Sequence, residues 1–286
     1  MLSIIIVYCD KDKDNLPNLL KQINERVLVD YEIITISNCT EKDDNATFSF
    51  GYNAYQFEAR KKALELAKGE FVWFVDGDDE IIGLDKIEDV DIAIYEYYVN
   101  SNDFLKYKEF ENKNIDLTFK NYVSHYVMLW NKIYRKSLFD GFNFSGAKIS
   151  GEDFIFSFYA WKKAKTVKSF NKRIYIQNQG YSNLHSISDI AVIENLFTGC
   201  AESLKILSLI ANKEEYVMIR RKQLIYFTEL LYYAENTNVI KAILDNLLEY
   251  FDEQEIKDVF LFKIFKFKKN SFAKHICDYY NFLNTD

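Results

Sequence analysis

The highest concentration of chemically active side chains is the acidic segment Asp76-Gly77-Asp78-Asp79-Glu80. It directly follows Phe71-Val72-Trp73-Phe74-Val75, an apolar run that predicts a buried strand. Four carboxylates within five residues repel one another unless a positive group lies nearby. A divalent cation with a phosphate-bearing ligand would supply that charge, because hard cations prefer carboxylate oxygens. A solvated acidic turn is the alternative interpretation.

A second acidic motif, Gly151-Glu152-Asp153, comes immediately before an aromatic helix predicted over 154–164. Its carboxylates could take part in proton transfer. Acidic residues are also favoured at a helix N-terminus by the macrodipole and by capping, so a simple capped helix is the alternative.

Alternating strands and helices must position these two motifs. We predict buried strands at 4–8, 31–36 and 71–75, with helices beginning near Pro17 and over 53–67, the second ended by Gly69. This order predicts an α/β fold with a parallel sheet, in which ligands bind at the carboxyl ends of the strands.

The rest of the chain changes character along its length. Further strands are predicted at 92–98 and 172–176. Beyond residue 189 only helical patterns remain, over 190–211, 214–235 and 237–251. We therefore predict a catalytic domain over 1–189 and a helical region over 190–286.

Composition excludes several classes of protein. Of 286 residues, 49% are hydrophobic and 28% are charged, which is typical of a folded chain and not of a disordered one. The net charge of -7 argues against a surface built to bind nucleic acid. The cysteines are too far apart for a zinc or redox motif, and Met1–Tyr8 predicts a strand and not a signal peptide. We expect a cytoplasmic protein.

An aspartate pair after an apolar strand also occurs in haloacid-dehalogenase-like phosphatases. Those enzymes need the strand near the beginning of the core and a small hydroxyl residue two positions after the second aspartate. Here that position is Glu80, and two strand–helix units precede the motif. The pattern therefore disfavours a phosphatase.

Six segments occur in a defined order along residues 2–188. They are Ser3–Tyr8, Tyr31–Ile34, Glu58–Phe71, Asp76–Asp79, Trp130–Phe139 and Gly151–Asp153. In this order they resemble the family 2 glycosyltransferases with the GT-A fold. Two positions depart from the family pattern: Val7-Tyr8-Cys9-Asp10 replaces Pro-Val-Tyr-Asn, and Ser37-Asn38 stands where two aspartates are usual.

The resemblance implies a Rossmann-like GT-A domain with a C-terminal α-helical region. It also implies inverting transfer of a sugar from a nucleoside diphosphate to a saccharide or lipid-linked acceptor, in bacterial surface polysaccharide synthesis. Asp153 would be the general base, with Glu152 contacting acceptor or sugar. Asp78 and Asp76 would hold Mn²⁺ or Mg²⁺. His185 would be a further metal ligand, or else a polar loop histidine.

The resemblance also implies a donor site and an acceptor site. The donor-binding residues would be Tyr8, Ser37, Asn38, Arg60, Asp76 and Gly77. An asparagine amide can pair with uracil, so a UDP-sugar is the expected donor, while Arg60 has a helix-surface cation as its alternative. Trp130 and Lys132 would lie on the acceptor side.

The segment 259–275 contains five Phe, five Lys and no acidic residue. This composition suits an anionic membrane surface, so the protein could act at the inner face of the membrane. A packing helix whose lysine stems cover its edges is the alternative. Nucleic acid is the least favoured partner of this segment.

The rival to an enzyme is a non-catalytic GT-A-like module that binds glycan or membrane, and Ser37-Asn38 favours it.

Overall fold

The structure is a computed structural model that describes residues 1–52, 55–101, 104–124, 128–145, 149, 151–178, 190–230 and 237–257. The chain forms two compact units, Met1–Gly180 and Tyr181–Asp286. His185, the segment 259–275 and residue 189 of the predicted domain boundary lie outside the described residues. The division at 189 stays a prediction.

The described part of the first unit is built on one mixed sheet of ten strands. The strands are β1 (Leu2–Tyr8), β2 (Tyr31–Ser37), β3 (Phe48–Ser49), β4 (Phe71–Asp76), β5 (Glu80–Ile81), β6 (Ile92–Ser101), β7 (Phe104–Lys108), β8 (Lys113–Asn114), β9 (Lys132–Arg135) and β10 (Val167–Asn178). The helices are α1 (Leu16–Arg26), α2 (Gln56–Leu66), α3 (Phe119–Ser124) and α4 (Glu152–Lys163).

The strand order is β3-β2-β1-β4-β9-β6-β10-β5, with β7 beside β6 and β8 beside β10. β1 is parallel to β2 and β4, whereas β9 is antiparallel to both β4 and β6. The carboxyl ends of β2, β1, β4 and β6 therefore meet at one edge of the sheet. This mixed α/β architecture confirms the predicted fold class, although the sequence patterns did not predict the antiparallel β9 at its centre.

The core explains why these segments are strands. Ile4, Ile6, Trp73 and Val75 are at most 1% exposed, and they pack in one cluster between the sheet and α1. Their β-branched and aromatic side chains suit a pleated surface that is covered on both faces.

The role of Gly69 differs from the predicted one. α2 already ends at Leu66, with Ala67 as its C-terminal cap. A Cβ on Gly69 would lie 2.6 Å from the backbone nitrogen of Ser3, so this position needs glycine for a close approach to β1 and not for a helix end.

In the second unit, the described ranges 190–230 and 237–257 contain three long helices, α5 (Ile190–Ile210), α6 (Lys213–Leu230) and α7 (Thr237–Tyr250), close to the predicted ranges. Its core includes stacked rings of Phe197 and Phe227, whose centroids are 3.9 Å apart. Within the described residues, every helix is too short or too polar to cross a membrane.

Candidate active site

The two acidic motifs lie together at the carboxyl edge of the sheet. β4 ends at Asp76, and the acidic turn Asp76–Glu80 leads from it into β5. α4 begins at Glu152, so the second motif forms its first turn. One arginine side chain, that of Arg60, contacts both motifs.

The acidic turn is held from two sides. The side-chain amide of Asn15 donates to the carbonyl oxygens of Gly77 at 2.8 Å and Asp79 at 3.3 Å. The backbone nitrogen of Gly77 donates to the carbonyl oxygen of Val7 at 3.1 Å. A Cβ on Gly77 would lie 2.6 Å from Cβ of Tyr8, so the turn can approach β1 this closely only with glycine.

Asp79 anchors the turn and is not exposed to a ligand. It is 2% exposed; its Oδ2 accepts from the Tyr175 hydroxyl at 2.7 Å, and its Oδ1 accepts from the backbone nitrogen of Asn178 at 2.7 Å. Burial and the nearby charge of Asp76 raise the pKa of Asp79 to about 8. Sequence analysis missed Tyr175, because no local pattern links β10 to the turn.

Asp76 and Asp78 differ in environment. The Asp78 side chain is 46% exposed, and its Oδ2 lies 3.5 Å from Nζ of Lys11. Its pKa is raised, chiefly by partial burial and further by Asp76 and Asp12, although Lys11 opposes the shift. The Asp76 side chain is 26% exposed and turns one oxygen towards Arg60.

Arg60 joins the two motifs. Its Nη2 donates to Oδ1 of Asp76 at 2.7 Å, and its Nη1 donates to Oε1 of Glu152 at 2.7 Å and to Oδ1 of Asp153. The residue is 2% exposed on the inner side of α2. The helix-surface alternative for Arg60 is therefore wrong.

The carboxyl groups of α4 have perturbed pKa values. Burial raises the pKa of Glu152 to about 7, with the charge of Arg60 opposing the shift. Burial also raises the pKa of Asp153, and Arg60 again opposes it. A carboxyl group that titrates nearer to neutral pH is a better proton acceptor for a hydroxyl than one with an ordinary pKa.

The predicted base-binding residues lie where β1 and β2 end. Tyr8 is buried, and its hydroxyl donates to Oδ2 of Asp43 at 2.7 Å. Ser37 and Asn38 are buried as well, and the backbone nitrogen of Asn38 donates to the carbonyl oxygen of Tyr8 at 2.8 Å. The buried Oδ1 of Asn38 has no hydrogen-bond partner in the described part of the chain. It is a free acceptor beside the strand ends.

The predicted acceptor-side residues are both buried. The Trp130 ring stacks on Tyr175 with centroids 4.9 Å apart and meets Tyr97 edge-on at 4.6 Å. Nζ of Lys132 donates to Oδ1 of Asn131 and to the carbonyl oxygen of Met128, each at 2.6 Å. Burial lowers the pKa of Lys132 to about 7. Contact of either residue with an acceptor stays a prediction.

The carboxylates of the turn suit a hard cation by donor chemistry. Asp76 and Asp78 offer the oxygen ligands that Mg²⁺ and Mn²⁺ accept. Within the described residues, no group of three or more His, Cys, Asp or Glu could hold a metal ion. A cation here would therefore need further oxygens from a diphosphate or water, as Mg²⁺ commonly does.

No protein-family model and no curated protein sequence matches this chain significantly. Solved structures do match. Residues 1–349 of S. aureus TarS in complex with UDP-GlcNAc align with a TM-score of 0.54 and 15% identity, over 91% of this chain and 89% of that one. The complex of the same protein with UDP gives 0.53 and 16%, over 91% and 89%. The fold is GT-A. At this identity the likeness is one of fold alone.

Proposed function

We propose that this chain is a glycosyltransferase that moves a sugar from a nucleoside diphosphate to a hydroxyl group of a saccharide or lipid-linked acceptor. The observation that carries the proposal is the Arg60 side chain, which holds Asp76 and Asp153 in one site at the carboxyl edge of the sheet. Ligands bind at that edge in open α/β sheets. The likeness to TarS bound to UDP-GlcNAc supports a nucleotide-sugar donor.

The donor would span the strand ends. Its base would lie near Tyr8, Ser37 and Asn38, and its diphosphate near Asp76, Gly77 and Asp78. Oδ1 of Asn38 can accept the N3–H of uracil, while the amide nitrogen can donate to a ring carbonyl. This pairing and the UDP found in the TarS complexes favour a UDP-sugar and the hexosyl or N-acetylhexosaminyl class.

Mn²⁺ or Mg²⁺ bound to Asp78 and Asp76 would neutralise the charge that develops on the leaving diphosphate. His185, outside the described residues, stays a predicted further ligand.

Asp153 would act on the acceptor. Its carboxylate takes the proton of the attacking hydroxyl as the oxygen bonds to the anomeric carbon and the diphosphate leaves from the opposite face. One displacement of this kind inverts the anomeric configuration. Glu152, one residue earlier in the first turn of α4, would contact the acceptor or the sugar. The same proposal includes synthesis of a bacterial surface polysaccharide at the inner face of the membrane.

A second candidate is a non-catalytic module that binds glycan or membrane. It is favoured by Ser37 and Asn38, neither of which carries the charge usual at that position in the family that the sequence resembles. Asp76, Asp78 and Asp153 favour the enzyme.

Thermal unfolding with a panel of nucleoside diphosphate sugars, with Mn²⁺ or with EDTA, separates the two candidates. The transferase should be stabilised by one donor, more strongly with Mn²⁺, and should release the nucleoside diphosphate from it. A panel in which no donor raises the melting temperature in a metal-dependent way would favour the binding module.

A further inference from the structure

We propose that Arg60 is a positioning residue for sugar transfer, which holds the acceptor base Asp153 at a fixed place relative to the donor-side carboxylate of Asp76. This inference rests on the proposed function and deepens it. Sequence analysis grouped Arg60 with the donor-binding residues, but the contacts of its side chain assign a different role.

The surroundings of Arg60 leave no surface for a ligand. Its side chain is 3% exposed, and its guanidinium pairs with three carboxylates of the protein: Asp76, Glu152 and Asp153. A donor phosphate could reach the guanidinium only by displacing one of them. Arg60 therefore acts through Asp153 and does not touch the substrate in this arrangement.

The shape of the guanidinium matters as much as its charge. One nitrogen, Nη1, contacts both α4 carboxylates, and the other, Nη2, contacts Asp76 at the end of β4. A planar fork can span two elements in this way, whereas a lysine ammonium is a single point charge on a flexible stem. A misplacement of about 1 Å at a reacting group can cost about 100-fold in rate.

Arg60 is also the main counter-charge of Asp153. Asp153 interacts electrostatically with charged and titratable groups from five elements. They are Arg60 of α2, Asp76 of β4, Glu152 of α4, Tyr122 of α3, and Lys132 and Tyr134 of β9. Among these, the two cations are Arg60 and Lys132, and burial lowers the pKa of Lys132 to about 7. Near neutral pH, Arg60 therefore supplies most of the positive charge.

The test compares the wild type with Arg60→Lys, and uses Lys62→Gln, at a partly exposed lysine of α2, as the matched control. We expect Arg60→Lys to lower kcat by about 100-fold, with the KM for the donor changed by less than about threefold, and to move the acid limb of the pH–rate profile to higher pH. Lys62→Gln should change none of these. A raised donor KM with kcat and the acid limb unchanged would identify a donor contact and overturn the proposal.

A second variant keeps the proposal testable if Arg60→Lys does not fold. Glu152→Gln keeps an oxygen that can accept from Nη1 and removes the carboxyl group that competes with Asp153 for that nitrogen. The acid limb should then move to lower pH, opposite to Arg60→Lys. An acid limb that stays in place, or moves to higher pH, would contradict the role given to Arg60.

A readout without turnover separates this inference from the proposed function. Carbon-13 NMR of the Asp153 carboxyl group in the free protein should show a higher pKa in Arg60→Lys than in the wild type. If the wild type turns over no donor, the proposed function fails and the catalytic role of Arg60 fails with it. If the wild type is active but neither the Asp153 titration nor kcat responds to Arg60→Lys, only the inference fails.

Discussion

The hydroxyl of Tyr175 donates to Oδ2 of Asp79 at 2.7 Å, and the Tyr175 hydroxyl oxygen accepts from the backbone nitrogen of Asp76 at 3.0 Å. One hydroxyl on β10 therefore forms hydrogen bonds with both ends of the segment Asp76–Asp79. Tyr175 in turn stacks on Trp130. The aromatic core of the sheet therefore helps to hold the acidic turn, in addition to its contacts with Asn15 and Val7.

Tyr175→Phe tests this anchor. The change leaves Oδ2 of Asp79 without its donor, so we expect the free energy of unfolding to fall by about 1–3 kcal/mol and donor binding to weaken. Tyr134→Phe is the matched control: Tyr134 is equally buried, and its hydroxyl has no hydrogen-bond partner in the described ranges. Urea unfolding and donor thermal shifts measure both effects. Equal losses in the two variants would contradict the anchoring role.

Gly77→Ala tests the close approach between the acidic turn and β1. The new Cβ would meet Cβ of Tyr8 at 2.6 Å and Cβ of Asp12 at 3.2 Å, neither of which is the end of a flexible side chain. We expect a loss of about 1–3 kcal/mol in the free energy of unfolding, because overpacking forces the backbone to shift. Donor binding should weaken as Asp76 and Asp78 move. Wild-type stability together with wild-type donor affinity would show that the approach is looser than described.

Asn38→Ala tests the base site. The lost carbonyl oxygen has no hydrogen-bond partner in the part of the chain that the structure describes, so the free protein should be as stable as the wild type or more so. Binding of UDP should weaken by about tenfold, the cost of about one hydrogen bond. Inorganic pyrophosphate, which lacks a base, serves as the control ligand in calorimetry. Equal weakening of both ligands would place Asn38 away from the base.

Lys132→Met tests the buried ammonium. Burial lowers the pKa of Lys132 to about 7, whereas the unfolded chain keeps a lysine near about 10.4. Between these values the unfolded state binds more protons, so the contribution of Lys132 makes the free energy of unfolding rise with pH. From about pH 7 to about pH 9 the wild type should gain about 2 kcal/mol relative to Lys132→Met.

Urea unfolding of both proteins at the two pH values measures that difference. Lys62→Met, at a partly exposed lysine, should behave like the wild type. Parallel pH dependence in wild type and Lys132→Met would mean that Lys132 stays fully charged in the folded protein.

Much of the architecture could be predicted from local patterns. The buried strands that lead to Tyr8, Ser37 and Asp76 can be recognised in the sequence, because each is a continuous run of β-branched and aromatic residues. The two acidic motifs are also visible as short segments, because their chemistry is concentrated within a few residues. Strands and short motifs of this kind can be predicted because they depend only on residues that are adjacent in the sequence.

The contacts between side chains within the site could not be predicted in the same way. Arg60 faces inwards, Tyr175 holds Asp79, and the Trp130 ring packs in the core, and each fact depends on a partner distant in sequence. A cationic side chain on a helix suggests a solvent-facing residue unless three carboxylates are known to meet it. The antiparallel β9 was missed because its four residues, Lys132–Arg135, are too short for a period to show.

The central claim is that Asp153 removes the acceptor proton in a nucleotide-sugar transferase, and Asp153→Asn tests it most directly. The measurement is release of the nucleoside diphosphate from the donor that stabilises the wild type, with Mn²⁺ present, in parallel with the donor-induced rise in melting temperature. We expect turnover to fall by at least about 100-fold while the donor-induced rise is kept, and the exposed-site control Asp116→Asn to match the wild type. Near-native turnover by Asp153→Asn would contradict the account.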